Sequence, residues 1–139
     1  MSINKDLLAK KLDFLHEQTE KIENMNFGEN DLLENADVQD LLTFRLQQSV
    51  ETCIDIATHI IAGLSLPRRE TAKDAFILLG QEKIVEEKLV KKITQAADFR
   101  NRVVHGYNNF DYSLLFKDYK ENLADLKNFG AQIVNFLEK

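Results

Sequence analysis

The sequence predicts an all-α protein, an up-and-down four-helix bundle with an extra short helix. Three observations carry this. Apolar residues recur at three- and four-residue steps along nearly the whole chain. One proline and five glycines in 139 residues leave few turn formers, where a strand-rich fold needs many. The long periodic stretches are divided by short polar or proline-marked breaks, as in a bundle with short connections. The chain has the length of one domain, so residues 1–139 are expected to form a single domain. It is long enough to bury a core without disulfides or metal.

Ile3, Leu7, Leu8, Leu12, Leu15, Ile22 and Met25 mark a first helix, with a polar gap at Gln18 and Thr19. Asn26 to Asp31, with Gly28, reads as a break. A second helix is expected over residues 37–64, with Asp37 as N-cap and Gly63 near its end. Its stripe includes Leu42, Leu46, Val50, Cys53, Ile54, Ala57, Ile60 and Ile61. Pro67 cannot continue a helix, so residues 66–70 form a connector. A short helix follows over residues 71–79, with Gly80 as its stop. The next runs from about Ile84 to His105. The last spans about 113–137, with Leu115, Tyr119, Leu123, Leu126, Phe129, Ile133, Phe136 and Leu137 facing inward.

Composition limits the function classes. The net charge of −5 argues against a sequence-independent nucleic-acid coat, which needs a broad basic face. It leaves room for a small basic site. From Lys88 to Tyr107 there are Lys88, Lys91, Lys92, Arg100 and Arg102 against Asp98 alone. No run of about 18 apolar residues is present, so no transmembrane helix is expected. The N-terminal residues do not form a signal peptide. Cys53 sits on an apolar face and reads as a small core hydrophobe. Together these features predict a cytoplasmic protein.

The unusual residues lie on the penultimate helix. At about 100° per residue, Leu89, Ile93, Ala96, Val103, Val104 and Tyr107 all fall within about 60° of Arg100. An arginine in an apolar stripe is costly unless it is paired or faces a polar cavity. His105 lies about 140° away on a straight helix. Gly106 is a natural residue to end the helix and turn the chain, gathering His105 and Tyr107 near its last turn. Asn101 and Arg102 flank the group with further donors. An arginine grips phosphate with a planar fork, and a histidine near neutrality moves a proton. No carboxylate or cysteine cluster accompanies them, so neither metal nor other cofactor is implied. The set suits RNA cleavage through the ribose 2′-OH. Plainer readings also fit: His105 capping helix carbonyls, Arg100 in a structural ion pair, Tyr107 as a core or rim aromatic. His16 and His59 read as ordinary helix residues, and Arg68 and Arg69 as solvated charge.

The pattern Arg-X4-His-X-Tyr, formed by Arg100, His105 and Tyr107 within DFRNRVVHGYNNFD, resembles the signature of HEPN domains, and of their HepT-like branch in particular. RLQQSVETCIDIATHII (Arg45 to Ile61) and DAFILLGQEKIV (Asp74 to Val85) are similar to that branch's long second helix and connecting helix. The resemblance implies a homodimer with a shared cleft, acting as a metal-independent ribonuclease toxin of a type II/VII-like toxin–antitoxin pair. Arg100 and His105 would be its catalytic pair, with Asn101 and Arg102 supporting. It further implies a minimal nucleotidyltransferase antitoxin as partner, which transfers AMP to Tyr107. The alternative is a non-catalytic helical subunit that binds a nucleotidyltransferase or its nucleotide.

Overall fold

The computed structural model describes residues 2–104 and 110–139, with backbone alone at 103 and 104. Among the described residues there are six helices and no strand: α1 (Lys5–Glu23), α2 (Glu29–Glu34), α3 (Ala36–Gly63), α4 (Ala72–Gln81), α5 (Glu87–Val104) and α6 (Tyr112–Leu137). The four long ones, α1, α3, α5 and α6, make the bundle.

Their directions follow from which residues meet. Along α1 and α3, Gly63 abuts Ile3, the Lys11 Nζ lies 2.6 Å from Asp55 Oδ2, and Arg45 Nη1 donates to the Lys21 carbonyl. Along α5 and α6, the Glu86 amide donates to Gln132 Oε1 at 2.8 Å, and the rings of Phe99 and Phe110 meet edge to face. Both pairs are therefore antiparallel, and the chain runs up and down. α3 and α6 each touch α1, α5 and one another, whereas α1 and α5 do not meet among the described residues. The core is aliphatic, with Leu42, Ile56, Ile60, Leu126 and Ile133 fully enclosed, and with Phe76 packed edge-on against Phe129 at 5.6 Å. Each such side chain contributes roughly 1.5–3 kcal/mol by leaving water.

Helix starts depend on short polar side chains. Asn4, Asn35, Thr71 and Asp111 each accept a bond from an amide in the first turn of the helix that follows. Three expectations change here. α3 is capped by Asn35, whose Oδ1 takes the amide of Asp37 at 2.9 Å; Asp37 lies in the first turn, where its charge favours the helix dipole. The stretch from Asn26 is not a plain break either, because it leads into α2. That helix buries Leu32 completely, and Gln39 Nε2 bonds the carbonyls of Leu32 and Leu33 at its end. Nor is there a polar gap in α1: Gln18 and Thr19 are both buried, and the Thr19 hydroxyl donates to the His16 carbonyl.

α3 ends at Gly63 as expected, but Gly80 departs from its expected role as a helix stop. α4 runs past Gly80 to Gln81, and α5 begins at Glu87 rather than near Ile84. The left-handed positions in the adjoining turns are Ser65 and Lys83. Gly80 serves close approach instead, since a Cβ there would lie 2.7 Å from Val90 Cγ2 on α5. Gly80→Val is expected to destabilise the protein by about 1–3 kcal/mol through overpacking. Urea unfolding would read this as a lower midpoint at unchanged slope. An unchanged midpoint would mean that α4 can move off α5 freely.

Candidate functional site

Arg100 lies in the last turns of α5, in line with the buried Leu89, Ile93, Ala96 and Ala97. Its side chain is 25% exposed. The Nε is closed off from solvent and has no hydrogen bond among the described residues. Glu51 Oε1, on α3, stands 3.4 Å from it, close enough for charge attraction but not aligned as a hydrogen bond. Glu51 was not anticipated from the sequence. It sits on the α3 flank that also carries the exposed Leu41 and Phe44, and only the packing of α3 on α5 brings it to Arg100.

Asn101 and Arg102 are exposed on the same turn. Phe99 is buried and turns toward α6. His105 and Tyr107, together with Gly106, lie outside the described residues, so the expected gathering of His105 and Tyr107 beside Arg100 falls there too. Phe110 resumes the chain. It stands edge-on to Phe99 at 5.7 Å and tilted against Tyr112 at 5.0 Å. Asp111 caps α6 through the Leu114 amide at 3.0 Å. Between the end of α5 and the start of α6 opens a cleft of about 470 Å³, walled by Phe99, Arg102, Phe110, Asp118 and Asn122 among others.

The basic run on α5 is partly offset by its neighbours. Lys92 Nζ lies 3.8 Å from Glu121 and 3.9 Å from Asp125 on α6. Desolvation raises the Asp125 carboxyl above the usual carboxylate range, against the pull of Lys92. The two described tyrosines are poorly placed for nucleophilic work. Tyr119 is buried and its phenol is pushed up by desolvation. Tyr112 is half-buried, raised by desolvation and then by the charge of Asp40. Cys53 is fully enclosed and its thiol is pushed far up by burial, as expected of a core residue. His16 and His59 are exposed on helix surfaces, His16 beside Glu20. Among the described residues no group of three or more His, Cys, Asp or Glu is placed to hold a metal ion, and no helix is long and apolar enough to cross a membrane.

Comparison with known proteins gives consistent matches over nearly the whole length. The model of a family described as ribonuclease HepT-like matches residues 15–133. A tRNA nuclease HepT from Aphanizomenon flos-aquae is 32% identical over 133 residues, covering 95% of this chain and 86% of the relative. An mRNA nuclease HepT from Shewanella oneidensis is 24% identical over 124 residues, covering 89% and 93%. Among solved structures, the tri-AMPylated Shewanella oneidensis HEPN toxin in complex with MNT antitoxin superposes with a TM-score of 0.87 at 24% identity. That match covers 94% of this chain and 98% of the other, and it establishes the fold.

The Arg100–Glu51 pair allows a test of why the arginine is there. Glu51 is 40% exposed and is solvated once its partner is removed, so losing the pair costs little, while a methionine keeps the apolar packing of the stem. Arg100→Met is therefore expected to leave thermal stability within about 1–2 kcal/mol of the parent or to raise it. A calorimetric loss above about 3 kcal/mol would identify the pair as a structural tie.

Proposed function

The chain belongs to the ribonuclease HepT-like family, and on that premise we propose that it is a metal-independent endoribonuclease toxin held in check by a nucleotidyltransferase antitoxin. The supporting observation is the match over 95% of the chain to a tRNA nuclease, with Arg100, His105 and Tyr107 all present at the Arg-X4-His-X-Tyr spacing. One relative is a tRNA nuclease and another an mRNA nuclease. RNA is therefore the substrate class proposed, with the kind of RNA left to features outside the shared helical frame.

In this reading the scissile phosphate binds at the exposed end of the Arg100 side chain. Glu51 lies on the Nε side and leaves the outer edge of the guanidinium to the substrate. His105 takes the proton of the ribose 2′-OH or delivers one to the leaving 5′-oxygen. The 2′-oxygen bonds to phosphorus as the P–O5′ bond breaks, giving a cyclic phosphate and a free 5′-hydroxyl. Arg100 offsets the charge that builds on the phosphate oxygens, and Asn101 and Arg102 hold the adjoining backbone. A second copy would complete the cleft. The exposed Leu41 and Phe44, on the flank of α3 that carries Glu51, suit such a homodimer.

Control would act on Tyr107. Its phenol oxygen attacks the α-phosphorus of ATP on the antitoxin, and pyrophosphate leaves. The attached AMP puts a negative phosphate and added bulk beside Arg100 and His105, where RNA must sit. Tyr112 and Tyr119 are weaker acceptors because both phenols are partly or fully covered and raised.

RNA cleavage is expected to persist in excess EDTA and to fall by about 10²–10⁴ in His105→Ala, a general acid–base loss. Arg100→Ala should abolish it with the fold retained by circular dichroism. Parental cleavage by His105→Ala would remove that residue from the mechanism, and loss in EDTA would bring in a metal. Incubation with the partner nucleotidyltransferase, ATP and magnesium, followed by peptide mass spectrometry, should place AMP on Tyr107 and stop cleavage. An adduct on Tyr112 or Tyr119, or an inert adduct on Tyr107, would overturn this account of control.

A further inference from the structure

The cleft between the end of α5 and the start of α6 has a lining that phosphate binding does not explain. Arg102 supplies one positive charge, but Asp111 and Asp118 also face it. A phosphodiester would be repelled by two carboxylates, so the cleft is not a second seat for the RNA backbone. Asp111 is occupied, since its Oδ1 accepts the Leu114 amide. Asp118 and Asn122, one turn apart on α6, carry no such capping role. A carboxylate is an acceptor only, and Asn122 offers both donor and acceptor. Beside them stands Phe110, half-buried and held by ring contacts to Phe99 and Tyr112. A fixed aromatic face next to an acceptor and an amide is the arrangement by which proteins read unstacked bases in single-stranded RNA.

We infer that this cleft is a nucleobase subsite, in which Phe110 stacks on an RNA base and Asp118 accepts from that base's exocyclic amino group. The inference rests on the ribonuclease reading for its ligand and adds a specificity determinant to it. Adenine, cytosine and guanine each carry an amino group that a carboxylate can accept from; uracil offers carbonyl acceptors in its place. Arg102, at the mouth, neutralises the phosphate of the nucleotide whose base enters. On α5 it points roughly 160° away from Arg100. The base bound in the cleft is therefore displaced along the strand from the phosphate that is cut, on the other side of the helix.

The test uses the whole protein and oligoribonucleotides in which one position near a single cut site is varied among the four bases. The parent is expected to cut uridine-substituted strands about ten-fold more slowly at one fixed offset, the discrimination typical of one base-edge contact. Asp118→Asn, which exchanges an acceptor for a donor, should erase or invert that preference while total cleavage of a mixed pool stays near parental. Asn122→Ala should weaken it in part. Equal preference in parent and Asp118→Asn would overturn the assignment. Binding of poly(C) and poly(U) to His105→Ala provides a readout that needs no catalysis. No cleavage by the parent, but an Asp118-dependent preference for poly(C), would retain the subsite and discard the nuclease. Cleavage without any base preference would do the reverse.

Discussion

The site depends on one awkward placement, a guanidinium set in line with the apolar stripe of α5. A charge there is tolerated only because the helix packs so that most of the side chain is covered, part of it reaches solvent, and a carboxylate on α3 stands beside the closed-off Nε. The carboxylate requires the antiparallel register that brings the middle of α3 to the end of α5. The place of α5 in the bundle is in turn held by contacts far from the site, such as Gly80 of α4 against Val90 and Gln132 of α6 on the Glu86 amide. The core thus determines where a reactive cation is displayed.

The unsatisfied Nε is informative in this light. Buried donors in folded proteins nearly always find an acceptor, and an exception suggests a group held for something other than stability. Glu51 lies close enough to fix the charge, yet its misalignment leaves the guanidinium less tightly bound than a bidentate pair would. An arginine locked in a complete internal network would have little left to offer a substrate.

Much of the fold was legible in the sequence because its signals are repetitive. A period near 3.6 sustained over many residues locates the long helices, and a lone proline locates the turn between α3 and α4. The misread features were those set by a single neighbour. Asp37 and Asn35 are both good cap residues, and only the bond to Asn35 Oδ1 separates them. Gly80 carries the same letter whether it ends a helix or lets another one approach. α2 is too short for periodicity to register and exists because Leu32 has a core to enter. At the site, Arg100 stood out as a charge in an apolar stripe, whereas Glu51, 49 positions earlier in the chain by the numbering, could be found only once α3 and α5 were packed. The roles assigned to His105 and Tyr107 rest on the residues' own chemistry and on the motif, and both positions lie outside the described residues.

α6 touches α1, α2, α3 and α5, and follows all of them in the chain. While a ribosome is still making it, the parts of α1, α3 and α5 that α6 covers stay open, and Phe99 lacks the ring of Phe110. The partly made chain can form helices but cannot complete the bundle. Competence therefore arrives late in translation, all at once, when the last long helix docks. For the RNase toxin proposed above, that order of events would delay activity until the whole bundle has folded.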